Sequence, residues 1–342
     1  MQAPTLSTLH QYVDRRTGQV CTEQLYSDAL VRWLYSDLRE HAPMLYRMAL
    51  SQFATGLLGF LNYDLPLGGV IGGNQKFLKD TGINLDECVE LPVTLDTVRK
   101  VFERQIRYWD CRPLPPEENI ILSPADARAL VGSFDETSSL FLKGKFFDFE
   151  ELLGREKCEW LAAFDGGDFS VFRLTPDKYH YNHTPVTGVV RDFYEVRGRY
   201  HACNPSAIVA EMTPYSKNTR TVTVIDTDVD GGTGVGLVAM IEVTALMIGE
   251  VVQCYSRERY DAPQPIRTGL LVERGCPKSL YRPGSSTDVL LFERGRVSFD
   301  VDLIANLHRR DAQSRFSQGF GRPLVETEVA VRSRIAAKSE HL

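Results

Sequence analysis

Three short stretches of the chain carry residue types that can do nucleophilic and acid–base chemistry together. The first is Ser123-Pro124-Ala125-Asp126-Ala127, a carboxylate in a turn after the apolar run 119–122. The second is Tyr179-His180-Tyr181-Asn182-His183-Thr184-Pro185, with two imidazoles three positions apart. The third is Gly284-Ser285-Ser286-Thr287, a small-residue turn that runs into Asp288-Val289-Leu290-Leu291-Phe292. In chain order they offer Asp, His and Ser. A serine hydroxyl becomes a useful nucleophile when an imidazole takes its proton and a carboxylate orients that imidazole. Taken singly, each has a plainer explanation: Asp caps its own turn, His sits satisfied beside a prolyl turn, and Gly-Ser-Ser-Thr is ordinary loop composition.

Other motifs fall short of a complete site. Asp226-Thr227-Asp228-Val229-Asp230-Gly231 copies the first half of a calcium loop, but Leu237 stands where the bidentate Glu belongs. Gly231 to Gly236 is glycine-rich without the spacing of a dinucleotide or phosphate loop, so both segments are expected to be one turn between strands. His180 and His183 have metal-ligand spacing, yet no HExxH or paired-Cys motif supplies a third ligand. Either imidazole can carry protons near neutral pH instead.

The elements that would position these groups change in texture along the chain. Residues 22–62 show apolar positions at helical spacing, with Pro43 dividing them, and 94–107 reads as a further helix with Val98, Val101, Phe102 and Ile106 on one face. Beyond residue 112 the pattern is short β-branched runs separated by turn residues, as at 119–122, 169–174, 186–196, 221–226 and 288–292. The expected fold is therefore α+β, with a helical N-terminal region (1–93) before a β-rich sandwich or open-barrel catalytic body (94–342). Seventeen Phe, 14 Tyr and 3 Trp supply ample core area, and this excludes a disordered chain. The formal net charge of −6 argues against nucleic-acid binding. Seven cysteines without a CxxC pair suit a reducing compartment. No secretory signal is visible in the first ten residues, and no window offers an uninterrupted spanning segment.

Taken together, these stretches resemble the phosphatidylserine decarboxylase family, whose members carry a self-made pyruvoyl group. The resemblance rests on Pro124-Ala125-Asp126, on 174–188 with its two histidines, and on 284–292 with its serine turn before an apolar strand. Leu142 to Gly154 and Gly198 to Pro205 add two further family-like segments in the right order. There are departures. Lys178 is inserted between Asp177 and Tyr179. The family's K-G-x-x-x-G-x-F stretch reads Arg274-Gly275-Cys276-Pro277-Lys278-Ser279-Leu280-Tyr281, and the processing turn has two serines. Counting back from Phe292 selects Ser286, with a cut between Ser285 and Ser286. A cut between Gly284 and Ser285 is the alternative.

The resemblance implies a concrete chemistry. His183, held by Asp126, would deprotonate Ser286, whose oxygen would attack the preceding carbonyl. Elimination would then yield residues 1–285 and 286–342, with Ser286 converted to a pyruvoyl group. That group would form a Schiff base with a substrate amine, and His180 would protonate the carbanion left by carbon dioxide. No metal or pyridoxal phosphate is implied. The implied substrate is phosphatidylserine, giving phosphatidylethanolamine; a free, for example aromatic, amino acid is the alternative, as is an unprocessed non-catalytic binding protein on the same fold. The two cleavage chains are expected to stay associated, and a homodimer is open. The expected location is cytoplasmic, with residues 44–61 a candidate for peripheral membrane contact.

Overall fold

The computed structural model describes residues 9–25, 82–134, 146–199, 201, 205–210, 214–244, 250–283 and 286–340. The helices expected within 26–62, including 44–61, lie outside the described residues, as do Gly284 and Ser285. Sixteen strands are present among the described residues. They are β1 (Gln11–Asp14), β2 (Val20–Thr22), β3 (Ile120–Leu122), β4 (Ala127–Ser133), β5 (Asp168–Leu174), β6 (Tyr181–His183), β7 (Gly188–Val196) and β8 (Arg220–Asp226). Then follow β9 (Leu237–Val243), β10 (Val251–Gln253), β11 (Leu271–Val272), β12 (Pro277–Tyr281), β13 (Ser286–Phe292), β14 (Val297–Phe299), β15 (Thr327–Val329) and β16 (Arg334–Lys338).

Ten of these form one open sheet in the order β11-β7-β8-β9-β13-β5-β4-β15-β1-β2. Two three-stranded sheets, β10-β12-β6 and β14-β16-β3, complete the β structure. The result is the expected α+β, sandwich-like arrangement with open sheet edges, not a closed barrel. Strands β1 and β2 carry the N-terminal residues into the large sheet, where β1 runs parallel to β15.

Side chains of a strand alternate between faces, and the central strands are buried on both. Val289 and Leu291 of β13 join a cluster with Phe149, Leu152, Trp160 and Phe316 on the helical side. Leu290 and Phe292 join Tyr255, Tyr281, Ile335 and Ala336 on the side of the smaller sheets. All seven residues of β13 are buried, and hydrogen-bonded neighbours β5 and β9 flank it on both edges. Its register pairs Ser286 with Leu174, and Asp288 with Phe172 and Glu242. Ser286 and Asp288 thus share the face of Leu290 and Phe292.

The strands expected at 119–122, 169–174, 186–196, 221–226 and 288–292 all appear, with ends shifted by a few residues. The helix expected over 94–107 is much shorter. It spans Val98–Phe102, with Thr97 accepting from the Lys100 amide at its start. Beyond it the chain extends: Gln105 N–H donates to the Glu90 carboxylate, and Ile106 bridges Cys88. Val101, Phe102 and Ile106 are buried as their spacing suggested, but tertiary pairing replaces the second helical turn. The acidic segment at 226–231 is a turn between β8 and β9. There Asp226 accepts from the Asp228 amide and pairs with Arg191.

Candidate active site

Ser286 begins β13 and is fully buried, with no hydrogen-bond partner for Oγ among the described residues. Thr287 Oγ1 and Asp288 Oδ2, the next polar atoms along the strand, are also buried and unpartnered. Both ring nitrogens of His180 lack a well-formed hydrogen bond, and the ring lies 4.7 Å from that of Phe102, centroid to centroid. Buried polar atoms are normally paired, so such a concentration of orphans marks a place built for something other than packing. The backbone brings His180 beside the strand that leads to the serine, because Tyr281 N–H donates to His180 O at 3.1 Å.

His183 ends β6, directly against the Asp126 turn. Its backbone N–H donates to Pro124 O at 2.7 Å, and Leu122 N–H donates to Pro185 O at 3.0 Å. The ring is fully buried, with Nδ1 2.9 Å from Gly275 O and Nε2 3.0 Å from the Tyr179 hydroxyl. A carbonyl only accepts, so the proton belongs on Nδ1, and Nε2 is left with the lone pair. Tyr108 packs edge-on against the ring at 4.7 Å. Burial drives the pKa of His183 down to about 3, although the Gly275 carbonyl pulls the other way. His180 is driven to about 3 by burial and then by the charge of Arg104. Both imidazoles are neutral bases at neutral pH.

Gly275 has a reason to be glycine. Its φ is +74°, and an added Cβ would stand 2.7 Å from Leu114 Cδ1 and 3.1 Å from Arg332 Nε. This turn aims the carbonyl that fixes the His183 tautomer.

The carboxylate of Asp126 differs from expectation in its partner. It accepts from Arg112 Nε at 3.1 Å, from Arg112 Nη2 at 2.9 Å and from the Val331 amide at 2.7 Å. Burial pushes this carboxyl up, but Arg112 and the Val331 amide outweigh it and hold it below its ordinary range. A two-pronged guanidinium is a far stronger partner for a buried carboxylate than a neutral imidazole. Asp126 is therefore beside His183 through the backbone of its turn, while Tyr179 and Gly275 hold the ring.

A buried charged network escaped the sequence reading altogether. Glu242 of β9 and Lys278 of β12 form a fully buried ion pair at 2.6 Å. Gln253 donates to Glu242 at 3.0 Å, Asn182 donates to it at 3.2 Å, and Ser279 donates to it through its hydroxyl. Burial raises the Glu242 carboxyl, yet Lys278 and these donors hold it low. Asp288, opposite Glu242 in the sheet, is pushed well above its ordinary value by burial and by the Glu242 charge, which favours its protonated form. The only sequence signals were a Glu inside the apolar window 236–252 and an odd Lys-Ser before the serine turn.

On the opposite face, Arg173 bonds both Glu23 and Glu326, with His10 2.8 Å from Glu326. His10, Glu23 and Glu326 also bring three metal-type ligand atoms together. The guanidinium of Arg173 already supplies the cation there.

The family model described as phosphatidylserine decarboxylase matches residues 98–316. The chain belongs to the phosphatidylserine decarboxylase family. A relative in Fusobacterium nucleatum, named phosphatidylserine decarboxylase proenzyme, is 26% identical over 88% of this chain and 93% of its own length. A protein of the same name in Bordetella avium is 32% identical over 67% of this chain and 79% of its own. Phosphatidylserine decarboxylase proenzyme 3 of Schizosaccharomyces pombe is 28% identical over 86% of this chain but only 29% of its own length. The family match spans Asp126, His180, His183 and Ser286 alike.

Proposed function

We infer that this protein is a self-processing carboxy-lyase that converts phosphatidylserine to phosphatidylethanolamine and carbon dioxide. The observation that carries the reading is Ser286: a buried serine with a free hydroxyl, at the start of the central strand, in a chain whose family relatives are named decarboxylase proenzymes. Those names also favour the lipid over a free amino acid, and a processed enzyme over an unprocessed binding protein.

In this reading the chain is first its own substrate. The hydroxyl of Ser286 gives up its proton and Oγ attacks the carbonyl carbon of residue 285. The C–N bond breaks, an ester forms and the amine of residue 286 is freed. Loss of the Cα proton then expels the carboxylate of residue 285, leaving residues 1–285 and 286–342. The dehydroalanine left at 286 tautomerises to an imine, which water hydrolyses to the ketone with release of ammonia. Ser286 is the favoured precursor, and Ser285 after Gly284 remains the alternative. His183 is the candidate base because Nε2 holds a lone pair and the ring is neutral well below pH 7.

A pyruvoyl group made at position 286 would supply the electron-withdrawing carbonyl that engages a substrate amine and allows its carboxylate to leave. The surroundings fit such a group: position 286 is fully buried beside orphaned donors and acceptors. His180 is the candidate for carrying the proton that replaces the carboxylate. The small product stays in place through the sheets. Its β13 sits between β5 and β9, β15 between β4 and β1, and β16 pairs with β3.

No helix among the described residues is long and apolar enough to cross a membrane. The test is incubation with phosphatidylserine vesicles. Wild type should produce phosphatidylethanolamine, and Ser286→Ala should produce none. Carbon dioxide released only from free amino acids would overturn the lipid assignment.

A further inference from the structure

Tyr281 and Asp288 stand on opposite sides of the link to be cut, and they touch. Tyr281 ends β12 in a small sheet, whereas Ser286 begins β13 in the large one, so residues 282–285 carry the chain from one sheet to the other. The fully buried Tyr281 hydroxyl lies 2.8 Å from Asp288 Oδ1 and 3.0 Å from Thr287 O. The family-like pattern expects Phe at the first of these positions, and the second stands directly before the apolar run Val289-Leu290-Leu291-Phe292 of its strand. Here both are polar, and they meet in a core where an unpaired hydroxyl or carboxyl would be costly.

We propose that Tyr281 and Asp288 form a clasp across the processing link and that Tyr281 is a positioning residue for self-cleavage. The proposal rests on the reading that the chain is cut before Ser286. A hydroxyl has one proton, so Tyr281 can donate to only one of its two neighbours at a time. A protonated Asp288 supplies the second proton: it donates to Oη while Oη donates to Thr287 O. Both bonds are then made, and residues 281 and 287 hold a fixed spacing around the reacting bond. A nucleophile poised against its target gains rate from that restraint alone. After the cut, the same bonds join the two product chains beside the new terminus.

The test follows cutting by denaturing mass spectrometry during cell-free synthesis of the full chain. Tyr281→Phe keeps the ring in the core and removes only the hydroxyl. It should be cut about three- to tenfold more slowly than wild type. The carboxyl it leaves unpaired also lowers the melting temperature, so the rates are compared well below melting, where both chains are folded. Asp288→Leu, which keeps the side chain buried but can neither donate to Tyr281 nor accept from it, should slow cutting about as much as Tyr281→Phe. Hydroxylamine opens esters; the slowed Tyr281→Phe chain should stay whole in it, because the clasp acts before the ester forms. Tyr281→Phe cut at the wild-type rate would overturn the clasp. So would ester accumulation, or slowing that disappears once the two chains are compared at temperatures where both are fully folded. A wild-type chain that is never cut would overturn the processing reading itself.

Discussion

The two faces of the β5–β13 strand pair hold buried polar groups in largely different states. On one face Arg173, opposite Thr287, ties together Glu23 and Glu326, and His10 closes the set from the N-terminal segment. On the other, Ser286 Oγ and Asp288 Oδ2 go without partners and, nearby in the fold, the His180 nitrogens lack a well-formed hydrogen bond. On the Arg173 face, Thr287 Oγ1 is also left unpartnered beside that network. Both clusters lose hydration on burial, and the first recovers more of it in hydrogen bonds and charge pairing. The difference fits the proposed roles: the satisfied groups fix the N- and C-terminal segments to the sheet, and the unsatisfied ones lie where the reacting centre is proposed.

The largest effect should come from the reactive face. His183→Gln removes the candidate base, and the rate of cutting should fall by about 100-fold or more in a time course of chain masses, with little loss of stability. A small effect there would mean that the proton goes elsewhere. Arg173→Met breaks the other face. It leaves Glu23 and Glu326 buried without their cation, and it should cost roughly 3–5 kcal/mol in chemical denaturation. Whatever folds should still cut itself; loss of cutting in a stably folded Arg173→Met chain would erase the distinction between the faces.

Smaller pH effects should carry opposite signs. Glu326 is lowered from 4.5 to about 2, by Arg173 and His10 against the opposing effect of burial. Its contribution is present above the unfolded value and is lost as pH falls through about 2. Asp288 is raised above 3.8, so its contribution is full below that value and is lost as pH rises through the folded pKa. Asp288→Asn should therefore raise the melting temperature at neutral pH and change it little near pH 4, as scanning calorimetry would show. A lower melting temperature at neutral pH would mean that the ionised carboxylate is needed. The acid limb of cutting should lie far below the ordinary histidine value of 6.5, because His183 stays neutral down to about 3. A limb near 6.5 would place the base on an exposed histidine.

Much of the frame was legible because strands announce themselves locally. The β-branched runs at 169–174, 221–226 and 288–292 needed only alternation and bounding turn residues to be read. The serine turn, the histidine pair and the Asp126 turn were legible as residue types in order. Their partners were not. Arg112 reaches Asp126 from a segment with no motif, and Tyr179 reaches His183 from inside the histidine motif without any pattern marking its role. The Glu242–Lys278 pair joins strands 36 positions apart. Such pairings depend on sheet order, which no local spacing reveals. For the same reason the helix over 94–107 was overextended: its second half answers to Cys88 and Glu90 instead of to its own periodicity.

The central claim is that the chain cuts itself before Ser286 and uses that serine to make its reactive group. A denaturing mass spectrum of purified wild type beside Ser286→Ala and Ser285→Ala tests it most directly. The account predicts two wild-type chains, 1–285 and 286–342, the second with a blocked, pyruvoyl-mass terminus, and a single whole chain for Ser286→Ala. An intact wild-type chain would contradict it, as would a Ser286→Ala chain that is still cut.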